Sequence, residues 1–430
     1  MSSGWELIAT DIQTNEILGN LPFGGMHFSR KINAAGDLSV DIPINDPVLS
    51  DAREMTAPNK TALWVFYNGT PVWGGISLNH RYTMTSGHLE ITANTWSAYF
   101  GHRWQAKDYS YTWMAPADPM TIASTVVGDA MSLPYSVLNL NGLNDPNVGI
   151  PFAIQRVGHP FPYTYPAEYV PTGQNPIPAG SVIVYDNETP YPNWITASYP
   201  SIQMQQVSMI ISTITEMGYG VGFDYRDSVI PDPYVPSHLG AAWQIANPFI
   251  GKLPDYEGIS PLSIDLGTAL DLTVDVRGSA VANEVLELST ATGSIMVIRE
   301  DWAAVQERLL WQTIEMHPDV NSTPVVQVTL DALANSDLAL SAYGQVRLEV
   351  TLPADDPRCS ITDWNPGDSV LIMNNGASGY SSPADPYLPQ NYARWWRIVD
   401  SEIRVPSHGV ATQRLTFNIT PTSYPGPSGL

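Results

Sequence analysis

Apolar and polar residues alternate along most of the first hundred positions, the period of strands with one buried face. Trp5 to Asp11 (WELIATD) and Glu16 to Pro22 (EILGNLP) flank a turn at Ile12 to Asn15 and predict a hairpin. Met26 to Ile32 and Leu38 to Ile44 follow as strands, the latter with Leu38, Val40 and Ile42 on one face. Ala62 to Tyr67 is apolar on both faces. Such a strand is expected to be covered twice, once by its own barrel and once by another domain or another subunit. A strand led by Trp73 and an alternating pair around Ser86 and Gly87 complete this stretch.

The same pattern returns near the other end. LSVDIPINDP (Leu38 to Pro47) comes back as LEVTLPADDP (Leu348 to Pro357) at one offset, 353 − 43 = 310. TALWVFYNG (Thr61 to Gly69) is matched by DSVLIMNNG (Asp368 to Gly376) and VWGGIS (Val72 to Ser77) by RWWRIV (Arg394 to Val399). HLEITAN (His88 to Asn94) is matched by RLTFNIT (Arg414 to Thr420). Four ordered matches predict one β domain present twice. The expected fold is therefore mainly β with a minor α+β part, two β-barrel domains flanking an intervening helix-on-sheet and loop-rich region.

Between the copies the periodicity changes. Gly101 to Pro200 reads as loops rich in Pro, Tyr, Asn and Trp, with one helix from Asp118-Pro119 through Ala123 to Met131. A second helix is predicted from near Ser201, with Gln203, Val207, Ile210, Ile214 and Met217 at helical spacing before Gly218. Gly222 to Tyr225 reads as a returning strand, and Leu272 to Gly278 and Val285 to Thr290 are expected to complete a small sheet under that helix. A third helix is predicted from Asp301, with Trp302, Val305, Leu309 and Ile314 on one side, ending before His317-Pro318. The segment Ser336 to Tyr343 leads into the second copy. Five segments result: a first barrel over 1–102, a Pro/Tyr-rich region with a short helix over 103–200, an α+β domain over 201–324, a second barrel over 325–421 and a tail over 422–430.

Composition agrees with many short strands and turns. Only 14% of residues are charged while Pro (37) and Gly (32) are plentiful, and 43% hydrophobic residues are ample for real cores. Acidic residues outnumber basic ones 42 to 19, giving a net charge of −23, which disfavours a nucleic-acid-binding role. Cys359 is the only cysteine, so no intrachain disulfide forms, and nothing near it in sequence supplies a base for a nucleophile. MSSGWELIATD has neither a basic region nor an apolar run, so no signal peptide is expected, and no window is apolar enough to span a membrane. The Asn-x-Ser/Thr patterns at Asn59, Asn68, Asn187, Asn321 and Asn418 then reflect only an Asn- and Thr-rich composition.

A search for chemistry leaves little. His27, His80, His88, His102, His159, His238, His317 and His408 are scattered without ligand spacing, so no metal site is expected. No nucleophile elbow, phosphate loop or dinucleotide fingerprint occurs, and the glycines of GYGVGF (Gly218 to Phe223) follow a helix, the wrong end for phosphate. The carboxylates Asp355, Asp356, Asp363 and Asp368 invite a glycosidase or Ca²⁺ reading, but the first copy has Asn45-Asp46 at the matching place, which favours turn geometry. The chain holds 13 Trp and 21 Tyr; Trp5, Trp64, Trp73, Trp395 and Trp396 sit on strands and are expected to pack. Tyr163, Tyr165, Tyr169 and Tyr191 lie in loops and fit an interface or a glycan-binding surface. No enzyme activity and no cofactor is expected.

Several stretches resemble minor tail proteins of actinobacterial siphophages: W-x-L-x-x-x-D-x-x-T-N-E-I-x-x-x-L-P (Trp5 to Pro22), F-S-R-K-I-N-x-x-G-x-L-S (Phe28 to Ser39), VFYNGTPVWGGI (Val65 to Ile76), N-P-G-D-S-V (Asn365 to Val370) and RIVDSEIRV (Arg397 to Val405). The resemblance covers both ends well and the middle poorly. It implies a tail-tip hub, a homotrimer in which each subunit carries two tail-tube-like barrels, so that a threefold object presents six quasi-equivalent positions. Trp64, Phe66, Trp73, Leu371, Met373, Trp395 and Trp396 would then lie at ring or subunit interfaces. Implied partners are the distal tail protein or tail tube, the tape measure protein and other minor tail proteins, with DNA passing unbound through a carboxylate-lined lumen. The alternatives are a receptor or glycan-binding tail module and, further off, a wall-degrading enzyme. Many proteins at this position carry long C-terminal extensions, whereas this sequence stops just after the second copy.

Overall fold

The computed structural model describes residues 4–44, 55–85, 87–133, 136, 138–139, 150–157, 195–215, 223–231, 239–246, 250–251, 262–277, 284–288, 296–300, 313–316, 345–356, 359–374 and 392–419. The first copy consists of β1 (Trp5–Asp11), β2 (Ile17–Asn20), β3 (Gly25–Lys31), β4 (Asp37–Pro43), β5 (Thr61–Tyr67), β6 (Thr70–Thr83) and β7 (His88–Thr95). All pair antiparallel, in the order β3-β4-β7-β6-β5-β1-β2. The expected hairpin is β1 with β2, and its turn is closed by Asp11, whose carboxylate accepts the backbone N–H of Gln13 and Thr14.

After a 3₁₀ helix over Trp96–His102 come β8 (Tyr109–Ala117), helix α1 (Pro119–Met131), β9 (Leu138–Asn139), β10 (Ile150–Arg156), β11 (Ile195–Tyr199), helix α2 (Val207–Thr215), β12 (Asp224–Pro231) and β13 (Leu239–Ala246). Asp118 caps α1 by accepting from Met120 and Thr121, with Pro119 at the first helical position, as the sequence predicts. Within the region expected to be loops, the described residues include four strands, while residues 159–180 lie outside the described residues. β8 pairs with β11, and β9 and β10 join β13 and β12 in a four-stranded sheet. Parallel pairing of β10 with β13 brings together strands far apart in sequence, which no local pattern announces, and β9 runs parallel to its neighbour β10.

The second copy begins earlier than the pattern suggests. β14 (Leu262–Asp265) and β15 (Asp271–Arg277) do not complete the sheet under α2; β15 pairs with β19 (Gln345–Pro353), and β14 runs parallel to β20 (Ser369–Asn374). β16 (Glu284–Leu288) instead forms a separate sheet with β17 (Met296–Glu300) and β18 (Thr313–Met316). The third predicted helix is therefore corrected at its end, where Ile314 lies on a strand opposite Val285. Its earlier residues, and the segment Ser336 to Tyr343, lie outside the described residues. β21 (Tyr392–Val405) and β22 (Thr412–Ile419) close the chain's order.

The two ladders match strand for strand: β3-β4-β7-β6-β5 in the first corresponds to β15-β19-β22-β21-β20 in the second. Leu38 faces Ala93 and Val40 faces Ile91, as Leu348 faces Phe417 and Val350 faces Leu415. β6 bulges between Ser77 and Asn79 and β21 between Ile398 and Asp400, each opposite the next strand's equivalent residues. The bulges place Ser77 with Ile398, so Gly74 corresponds to Trp395 and Gly75 to Trp396. The match of Trp73 with Trp395 read from the sequence is thus one residue out, and a slip of one exchanges faces; the match of Leu89 with Leu415 is two residues out, since Ile91 stands where Leu415 does. One apolar cluster runs through both ladders, from Leu7, Phe28 and Val40 to Val350, Ile403 and Phe417. A second joins the outer face of β5 to both helices and the four-stranded sheet, through Trp64, Trp96, Val126, Ile210 and Trp243.

Candidate assembly surface

The two ladders are joined edge to edge by β21. Its first half, through Arg397, pairs with β20 and its second half, from Asp400, with β3 of the other copy. The joint is reinforced by buried cations. The Arg30 guanidinium lies 4.0 Å from the Trp364 ring centroid and donates to the Ile361 carbonyl at 3.2 Å. Burial foremost, then the nearby charge of Arg226, lowers the Arg30 pKa to about 9, so it remains charged at neutral pH. Trp364 donates to Gln413, which donates to the carbonyls of Cys359 and Pro353.

β12 ties the helical layer to both copies. Asp224 accepts from Asn33 at 2.8 Å and from Arg397, whose guanidinium also reaches the Ile250 and Gly367 carbonyls. Arg226 donates to the Pro366 carbonyl at 2.7 Å and stands 3.6 Å from Asp368. Asp227 accepts from Thr95 Oγ1 and Ser97 Oγ, both at 2.5 Å, and from the Ser97 N–H. Burial outweighs these bonds and pushes its carboxyl up to about 6. Such buried pairs set geometry more than they add stability.

The face of the joined sheet away from the apolar cluster is polar. It is not a wall of carboxylates: Lys31 pairs with Asp37 at 3.0 Å, Arg414 with Glu402 at 2.5 Å, Arg347 with Glu349 at 3.4 Å and Arg404 with Glu402 at 3.7 Å. His88 contacts Asp41 at 2.6 Å. The excess negative charge of the chain is therefore not concentrated there.

Of the seven residues proposed for an interface, the structure encloses three within the chain itself. Trp64 (0% exposed) packs on Trp96, ring centroids 5.0 Å apart, and donates to Thr10; Trp73 (2%) and Trp396 (3%) belong to the shared cluster. The second cover of β5 is the chain's own helical layer, so no partner reaches Trp64. Phe66, Leu371, Met373 and Trp395 are half-buried. Leu371 faces Trp395 across β20 and β21, on the side where the first copy carries its helical layer.

The other chemical candidates resolve into structure. Asp356 N–H donates to Pro353 and Cys359 N–H to Asp356 O, the turn that the Asp-Pro pattern implies, and Asp368 caps Asn365 N–H at 2.9 Å. Cys359 is buried, and burial foremost, then Asp356 and Asp363, pushes its thiol up to about 12, which opposes nucleophile chemistry. Among the described residues no three metal-ligating side chains converge, and no helix is long and apolar enough to cross a membrane. Asn45, Asp46, Tyr163, Tyr165, Tyr169 and Tyr191 lie outside the described residues. The sequence does not reveal that, among the described strands, the outer edge of β15 and the far half of β6 lack a partner, because an edge is a property of pairing.

No protein-family model and no characterised protein matches the chain by sequence. Solved structures do match in fold. A tail protein from Neisseria meningitidis aligns over 96% of this chain and 96% of its own, with a TM-score of 0.54 at 10% identity. The prophage MuSo2 43 kDa tail protein from Shewanella oneidensis covers 97% and 98%, and the prophage tail protein gp18 from Listeria monocytogenes 97% and 95%, both with a TM-score of 0.50 at 10% identity. At that identity the likeness speaks for the fold: this chain has the mainly β fold of phage tail proteins.

Proposed function

We propose that this chain is a structural virion protein, a homotrimeric hub at the tip of a siphophage tail. The observation that carries the reading is the pair of matching ladders fused edge to edge in one chain. Two equivalent units per subunit let three subunits present six positions to a sixfold tube. Each unit contributes four strands to the common wall, β3, β4, β7 and β6 or their counterparts. Three chains then make a ring of about 24 strands, and at ~4.8 Å between strands tilted by ~40° such a ring is roughly 50 Å across. That leaves room for a DNA duplex. The ion-paired polar face would line the passage, with cations held by neighbouring carboxylates and so poorly able to grip phosphate.

In this role the hub caps the tail tube, meets the distal tail protein on one side and the tape measure protein and other minor tail proteins on the others, and opens when DNA leaves. It needs no cofactor and no catalytic residue. Native mass measurement and particle images of the purified chain test the reading. A ring of three copies is expected; a chain that remains monomeric, alone and with its tail neighbours, overturns it.

A further inference from the structure

Among the described strands, each ladder leaves one edge without a partner. The outer edge of β15 pairs with no described strand, and neither does the edge of β6 from Asn79 to Thr83 on the β5 side. These are the counterparts of the two edges that meet inside the chain. β15 stands in the second copy where β3 stands in the first: Leu272 and Val274 face Val350 and Leu348 as Met26 and Phe28 face Val40 and Leu38. The far half of β6 stands where the far half of β21 does, since Asn79 and His80 face Thr92 and Ile91 as Asp400 and Ser401 face Thr416 and Leu415.

The internal joint thus prescribes an external one, and we infer that β6 of one chain adds antiparallel to β15 of a second copy in the register of β21 on β3. Asp400 faces Lys31, Glu402 faces Ser29, Ile403 faces Phe28 and Val405 faces Met26 within the chain. Carried across, Arg81 faces Asp275, Tyr82 faces Val274, Thr83 faces Thr273 and Met84 faces Leu272 between chains. The side chains suit that register. Tyr82 is 52% and Met84 84% exposed, in the places where Ile403 and Val405 are buried. Opposite them, Leu272 and Val274 are half-buried at the rim of the apolar cluster. Pairing would extend that cluster over both exposed residues, satisfy both rows of backbone groups and set a cation against a carboxylate. The contact is head to tail, so successive copies continue in one direction until they close into a ring.

This inference rests on the ring reading and specifies its interface. Facing residues of an antiparallel pair have Cα atoms ~4.5–5.5 Å apart, within reach of a disulfide. The test uses the full chain with Thr83→Cys and Thr273→Cys together, both exposed in the single chain, oxidised under mild copper catalysis, with native mass read on the same sample. Cys359, buried, stays out of the reaction. Covalent trimers that need both cysteines are expected. The off-register pair Arg81→Cys with Thr273→Cys is expected to link poorly, and Tyr82→Asp to weaken association at least tenfold without loss of fold. A trimer that forms but links no better in register than out of it, or that tolerates Tyr82→Asp, overturns the register and leaves the ring standing. A wild-type monomer overturns both.

Discussion

At the scale of single residues, the two copies differ by a trade of volume across neighbouring strands. In the first copy Trp64 lies beside Gly74, where a Cβ would come within 2.7 Å of the Trp64 ring and 3.1 Å of Trp96. In the second, Leu371 takes the place of Trp64 and Trp395 the place of Gly74. Each pair combines one large residue with one smaller, so the sheet spacing survives while the tryptophan changes strand. This is why the sequence match was one residue out: it aligned two tryptophans whose roles differ. Gly74→Val alone should destabilise by about 2–4 kcal/mol, because the rigid rings of two buried tryptophans crowd the site. Trp64→Leu alone should cost a comparable amount through the cavity and the lost Thr10 bond. Together they should cost less than the sum by about 1–3 kcal/mol, since each relieves the other. Urea melts of the two single variants and the double variant measure the coupling, and strict additivity would refute the trade.

At the scale of elements, strands with alternating or dense apolar residues were legible, and so was helix α1 from its Asp-Pro start. What sequence could not give was pairing at a distance. LTVDVRG alternates equally well as a member of either sheet, and only its meeting with β19 assigns it to the second copy. β12 shows the same limit. Its sequence, DYRDSVIP, has no strong period, yet Asp224, Arg226 and Asp227 hold the helical layer to both ladders. Asp227 makes that bond pH-dependent. Its carboxyl titrates near 6 in the fold against an ordinary value of 3.8, so the folded chain holds the proton more tightly than the unfolded one. The stability this brings is fully present below about pH 4 and is lost as pH rises through about 6. Because the carboxylate borders a cleft with Trp73 and Thr95 that admits water, the effect should be on the order of 1–2 kcal/mol. Asp227→Asn, which keeps the shape of the protonated form, should gain on the wild type by that amount between pH 4 and pH 7. Denaturation curves that stay parallel across this range would show that the carboxyl does not titrate there.

At the scale of the whole molecule, the charge of −23 on each chain and the proposed edge contact make opposite demands on salt. Three such chains in the proposed ring would repel over tens of ångströms, a cost that shrinks as the screening length falls from ~30 Å at 10 mM salt to ~8 Å at 150 mM. The proposed contact would consist mainly of backbone hydrogen bonds and the burial of Tyr82 and Met84, neither of which salt weakens. Its one opposed pair, Arg81 with Asp275, is worth at most ~1 kcal/mol at a solvated edge and loses only part of that on screening. Repulsion should therefore dominate the salt response, and added salt should tighten the ring. Sedimentation of the full chain at rising NaCl should show the concentration for half-assembly falling several-fold between ~10 and ~150 mM. Arg81→Ala should shift every point toward weaker assembly while keeping the direction. If the ring instead dissociates as salt rises, complementary charge and not edge pairing holds it, and the contact must be sought on the ion-paired polar face.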